Sequence, residues 1–142
     1  MSARVLLVVD DNPDDVAILE LAAAELPDGF TIEVHESSAA ALRRVAAGHQ
    51  PPSAVLLDWN LPGATASEVL TSIRSTSSWD GVPVVVYSGD SDPVIIHEAR
   101  SSGASNYVVK PASYDGVVDL LRRLSEITAV GEAEPASYLD LS

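Results

Sequence analysis

Short apolar runs alternate along the chain with longer stretches in which apolar residues recur every three or four positions, the pattern of repeated strand–helix units and a parallel sheet. Five runs read as strands, near residues 4–9, 30–35, 53–58, 82–88 and 106–109, each followed by a helix. Asn12 caps the first helix and Pro13 opens it, with Val16, Leu19, Ala23 and Leu26 on one face and Pro27-Asp28-Gly29 ending it. The second covers residues 37–47 and stops at Gly48, and the third covers 65–76. Asp92-Pro93 opens the fourth, which ends at Gly103, and Ser113 caps the fifth, which turns Val117, Leu120, Leu121 and Leu124 inward. The pattern is lost after Thr128. Residues 129–142, with Gly131, Pro135 and the acidic Glu132, Glu134 and Asp140, read as a tail or interaction segment. The organisation is one α/β domain over residues 1–128 followed by a tail over 129–142.

The strand ends carry the chemistry. Asp58 closes the apolar run Val55-Leu56-Leu57, and Asp10 and Asp11 close Val5-Leu6-Leu7-Val8-Val9. In an open parallel sheet ligands bind in the crevice at the carboxyl ends of the strands, and in the order 2-1-3-4-5 the first and third strands are neighbours. Three carboxylates then share one pocket, which is costly unless a cation offsets their repulsion. Mg2+ suits such a pocket, because it takes oxygen ligands from one or two carboxylates plus water and leaves room for a phosphoryl oxygen. Lys110, the only lysine in the chain, ends the fifth strand, where a compact ammonium can reach a phosphate. Asp14 and Asp15 lie in the first turn of the first helix, where the helix dipole favours acidic side chains, and are read as that alone.

At 142 residues and 46% hydrophobic content the chain can bury a full core. Its formal charge of -13 argues against nucleic acid or an anionic membrane as partner. It has no cysteine, which excludes disulfides and thiolate metal sites. No apolar run approaches the ~20 residues that span a bilayer. Met1-Ser2-Ala3-Arg4 leads straight into a strand rather than into a signal-peptide apolar region, so a cytoplasmic location is expected. His35, His49 and His97 lack ligand spacing and read as surface or packing residues, and Arg43-Arg44 and Arg122-Arg123 read as solvated helix faces. Trp59 is placed at the rim of the pocket.

Taken together, Asp10-Asp11 after the first strand, Asp58-Trp59-Asn60-Leu61-Pro62 after the third, Ser88-Gly89 after the fourth and Tyr107-Val108-Val109-Lys110-Pro111 at the fifth make the chain resemble a response-regulator receiver domain of two-component signalling over residues 4–128. Val9-Asp10-Asp11-Asn12-Pro13-Asp14-Asp15 is similar to stand-alone regulators that pair with phytochrome-type histidine kinases. The resemblance implies a flavodoxin-like (βα)5 fold, with strand order 2-1-3-4-5 and helices on both faces. It implies that Asp58 accepts a phosphoryl group from a kinase phosphohistidine, and that Asp10, Asp11, Asp58 and the backbone carbonyl of Asn60 hold Mg2+. Ser88 and Lys110 would contact phosphoryl oxygens, and Ser88 and Tyr107 would form the switch, with Tyr107 moving inward. The face of helix four, strand five and helix five would carry output, by a change of partner or by homodimerisation. Such a protein catalyses only its own phosphorylation and dephosphorylation. Thr65-Ala66 stands where the family usually carries Asp-Gly, with Gly63 available for the turn. Asn60 and Asp90 occupy positions that in the family tune self-dephosphorylation.

Three other readings compete. A receiver-like binding module would keep the pocket and signal without phosphorylation. A small phosphohydrolase would want Asp-x-Asp, but position 60 is Asn, and a flavodoxin-like cofactor carrier would want a phosphate-cradling loop where Asp10-Asp11-Asn12 stands.

Overall fold

The structure, a computed structural model, describes residues 4–27, 29–61, 63 and 65–129. Five strands, β1 (Val5–Val9), β2 (Thr31–His35), β3 (Ala54–Leu57), β4 (Val84–Ser88) and β5 (Asn106–Val109), form one sheet in the order β2-β1-β3-β4-β5. All four pairings are parallel. The helices between them are α1 (Pro13–Ala24), α2 (Ser38–Ala46), α3 (Ala66–Arg74), α4 (Pro93–Ser101) and α5 (Tyr114–Ala129). The expected tail lies outside the described residues beyond Ala129, where α5 ends one residue past the expected domain limit.

Alternation along each strand splits the core into two layers. Leu7, Val9, Val55, Leu57, Val84, Val86 and Tyr107 pack on one face of the sheet, with Ala41 and Val45 of α2, Val69, Leu70 and Ile73 of α3 and Ala99 of α4. Leu6, Val8, Ala54, Leu56, Val85 and Tyr87 pack on the other face, with Leu19, Ala22 and Ala23 of α1 and Val117, Leu120, Leu121 and Leu124 of α5.

The helix signals act as chemistry predicts. Asn12, Ser37, Thr65 and Asp92 each accept a backbone N–H in the first turn of α1, α2, α3 and α4. Gly63 adopts φ 88°, so it supplies the positive dihedral that the loop after β3 requires. Three features differ from expectation. α1 ends at Ala24, short of Pro27, and a single 3-10 turn at Ser77–Trp79 buries Trp79 between α3 and β4. Arg44 is not on a solvated face. Its Nε donates to Glu33 at 2.8 Å, its Nη2 donates to the Gln50 carbonyl at 2.9 Å, and the guanidinium lies 5.4 Å from the centroid of the Trp79 ring. Arg122 and Arg123 pair with Asp119 in the half-exposed setting expected of a solvated face.

Candidate functional site

The sheet delivers the site residues through its own hydrogen-bond ladder. Asp10, Asp58 and Lys110 are each the first residue past a strand, and each backbone N–H continues the pairing. The acceptors are the His35 carbonyl at 3.1 Å, the Val9 carbonyl at 2.9 Å and the Ser88 carbonyl at 2.7 Å, respectively. Continuing the alternation from Val8, Leu56 and Val108 puts all three side chains on the α1–α5 side of the sheet. There Lys110 Nζ donates to Asp10 Oδ2 at 3.3 Å and lies 3.5 Å from Asp58 Oδ2.

Backbone donors fix the remaining carboxylate oxygens. Asp10 Oδ1 accepts the Asn12 N–H at 2.9 Å, and Asp58 Oδ1 accepts the Asn60 N–H at 3.0 Å. Asp10 and Asp58 are buried, at 1% and 7% exposure, whereas Asp11 faces solvent. Asp10, Asp11 and Asp58 each offer an oxygen within 4.8 Å of the others. Burial raises the Asp10 pKa, and the Asp58 charge adds to that against the Asn12 N–H and the Lys110 ammonium. A divalent cation with oxygen preference would relieve that crowding, so this donor set fits Mg2+.

Burial works against the Lys110 charge too, but the Asp15 hydrogen bond and the fields of Asp10 and Asp58 outweigh it and hold the pKa above the ordinary lysine value. The ammonium also sits 5.5 Å from the centroid of the Tyr87 ring. Burial, followed by the negative field of Asp15, pushes the Tyr87 hydroxyl up to about 12, so it stays protonated.

Asp15 was not among the expected site residues. Its Oδ2 accepts from Lys110 Nζ at 2.6 Å, the shortest contact the ammonium makes among the described residues. A signal was present in the sequence. Positions 15, 19, 22 and 26 fall on one helical stripe, and Leu19 and Ala22 on it are fully buried, so Asp15 continues the inward face at the end nearest the strand ends. Asp14 lies off that stripe and is exposed, in keeping with a charge at a helix end.

Ser88 is fully buried at the end of β4, where its hydroxyl accepts the Asp90 N–H at 3.2 Å. Tyr107 lies across the sheet from the carboxylates. Its ring is inward, at 8% exposure, and its hydroxyl donates to the Asp90 carbonyl at 2.6 Å. The loop after β4 thus touches both residues expected to form the switch. Trp59 is half-buried and packs against the core layer covered by α2, α3 and α4, not against the layer on the carboxylates' side of the sheet. His35 pairs with Glu33 at 2.7 Å, His97 contacts Ser101, and His49 is exposed.

The response regulator receiver domain family matches residues 6–122, a stretch that includes every residue of this pocket. The chain belongs to that family. The transcriptional regulatory protein KdpE of Mycobacterium tuberculosis is 33% identical over 130 residues, which take in 91% of this chain and 54% of KdpE. The DNA-binding response regulator MtrA of Mycolicibacterium smegmatis is 32% identical over 136 residues, 96% of this chain and 55% of MtrA. The chain therefore spans about half the length of these relatives. Among solved structures, the phosphorylated cyanobacterial phytochrome response regulator RcpA superposes with a TM-score of 0.81 at 22% identity, covering 92% of this chain and 97% of that one. A chemotaxis response regulator of Vibrio cholerae gives 0.74 at 21% identity, over 87% and 99%. Both likenesses fix the fold as flavodoxin-like. No described helix is long and apolar enough to cross a membrane.

Proposed function

We propose that this receiver domain accepts a phosphoryl group on Asp58 from the phosphohistidine of a sensor kinase, in a Mg2+-dependent reaction, and signals by protein contact. The observation that carries the reading is the convergence of Asp10, Asp11 and Asp58 within 4.8 Å of one another, with the Lys110 ammonium on two of them. In the transfer an Asp58 carboxylate oxygen bonds to phosphorus, the N–P bond breaks, and the histidine nitrogen keeps the electron pair. Asp58 attacks as a carboxylate, so the step needs no general base. What remains is positioning and charge neutralisation. Asp10, Asp11, Asp58 and the Asn60 carbonyl would hold Mg2+, which supplies charge neutralisation at the phosphoryl oxygens. Lys110 would pair with one of those oxygens and the Ser88 hydroxyl would donate to another. Pulling Ser88 from the Asp90 N–H would disturb the same loop that Tyr107 holds through the Asp90 carbonyl.

Output through α4, β5 and α5, including self-association, is supported by Val94 at 73% exposure and Val109 at 44%, both apolar and both on that face. A phytochrome-type kinase as the input is supported by the likeness to RcpA. A cytoplasmic location follows from that kinase chemistry.

The test is Trp59 emission during titration with magnesium and then beryllofluoride, which mimics the phosphoryl group on Asp58, with Asp58→Asn as control and Trp59→Phe to subtract Trp79. A saturable, magnesium-dependent change lost in Asp58→Asn is the expected result. No change, together with no phosphoryl adduct by mass after incubation with acetyl phosphate, would put the phosphorylation-independent binding module first.

A further inference from the structure

We propose that Asp15 is a positioning residue that competes with the phosphoryl group for the Lys110 ammonium, and thereby sets how strongly the phosphorylated state is favoured. The inference rests on the phosphoacceptor reading above. Three carboxylates contact Lys110 Nζ, at 2.6 Å for Asp15, 3.3 Å for Asp10 and 3.5 Å for Asp58. The residue that must meet a phosphoryl oxygen is thus held most closely by the one carboxylate that neither accepts the phosphoryl group nor shares the metal cluster.

Asp15 suits that part because its attachment differs from that of the others. Asp10 and Asp58 each have one oxygen tied to a backbone N–H of their own turn. Asp15 approaches from α1, carried on the inward stripe of the helix, and its side chain is 27% exposed. Transfer of a phosphoryl group adds negative charge and oxygens at Asp58. In the proposed competition Lys110 Nζ turns toward those oxygens at the expense of its shortest contact, the one with Asp15, so the strength of that contact is subtracted from the stability of the phosphorylated state. Neutralising Asp15 removes the subtraction. It also takes one negative charge from beside a site that must receive an anion.

Because the chain has a single lysine, labelling with 13C- and 15N-lysine gives one side-chain signal, belonging to Lys110. It should be compared in the wild type, Asp15→Asn, Asp15→Glu and Asp14→Asn before and after saturating magnesium and beryllofluoride, with half-saturation by beryllofluoride read from Trp59. The Asp15→Asn signal should be displaced from wild type before any addition. Its half-saturation should fall about two- to fivefold, the size of a partly exposed ion pair. Asp15→Glu should move both readouts back toward wild type, and Asp14→Asn, which removes an equal charge from the same turn, should leave both unchanged. An undisplaced lysine signal in Asp15→Asn overturns the proposal, as does a displaced signal with unchanged half-saturation. If Asp14→Asn reproduces the effect, the cause is the charge of the helix end and the proposal also fails. A wild type that ignores beryllofluoride defeats the phosphoacceptor reading itself, and the lysine signal still decides whether Asp15 holds Lys110.

Discussion

Two ion clusters sit beside this sheet, and they are built on opposite terms. At the edge strand β2, one carboxylate serves two partners: Glu33 accepts from the Arg44 guanidinium at 2.8 Å and contacts the His35 ring at 2.7 Å. Burial raises the Glu33 pKa, but the Arg44 and His35 interactions outweigh it, and the net shift is downward. At the strand ends, one ammonium serves Asp10, Asp15 and Asp58, with Asp11 alongside, and the Asp10 pKa shifts upward. The first cluster is balanced and ties β2 to α2, so it acts as scaffold. The second keeps a surplus of one sign that the fold must hold against repulsion. Such a surplus marks a site built to receive countercharge.

Removing the cation from each cluster should produce the largest difference. Lys110→Ala leaves three carboxylates without their ammonium, two of them buried, and should cost about 3 kcal/mol of stability without metal. Much of that loss should return with saturating magnesium. Arg44→Ala should cost about 2 kcal/mol through the lost Glu33 pairing and the bared Trp79 ring, with no return. Urea unfolding of both variants with and without magnesium makes the check, and equal recovery would erase the distinction between scaffold and site.

Magnesium alone should sharpen it next. At a hundredfold excess over its dissociation constant, a ligand that binds only the folded state adds about 2.7 kcal/mol. Thermal unfolding of the wild type should rise accordingly, beyond any effect of sodium chloride at matched ionic strength. Asp11→Asn should lose most of the increment, because it removes the negative charge of a ligand that faces solvent without disturbing the core. A rise that survives in Asp11→Asn would take Asp11 out of the metal set.

The contrast also explains what the sequence could disclose. The strand ends were legible because Asp10, Asp58 and Lys110 each interrupt an apolar run at its last step, and strand periodicity fixes the face on which they emerge. Asn12, Ser37, Thr65 and Asp92 were legible as helix starts for an equally local reason. Arg44 and Asp15 were not, because each acts through a partner distant in sequence. Arg44 reads as half of a basic pair until α2 is laid over Trp79, and Asp15 reads as a charge favoured by a helix dipole until the stripe through Leu19 and Ala22 turns it toward Lys110. The 3-10 turn at Ser77–Trp79 was missed for a different reason: a three-residue element has no period to detect.

The smallest effect lies in the acid limb of stability, where the two clusters should pull in opposite directions. The folded Glu33 pKa lies below its ordinary value of 4.5, so its contribution is present above that pH and is lost as pH falls through the folded value. Asp10 has the reverse sign. Its folded pKa lies above the ordinary 3.8, so its contribution is present below that pH and is lost as pH rises through the folded value. Glu33→Gln should therefore flatten the fall in stability on acidification, by no more than about 1 kcal/mol given the partial exposure of the pair. Asp10→Asn should instead remove a loss that accompanies rising pH, and saturating magnesium should mask that loss in the wild type because the metal favours the ionised carboxylate. Urea midpoints across the acid range, with and without magnesium, separate the two signs. The same sign in both variants would mean that the strand-end carboxylates are as well balanced as the β2 cluster.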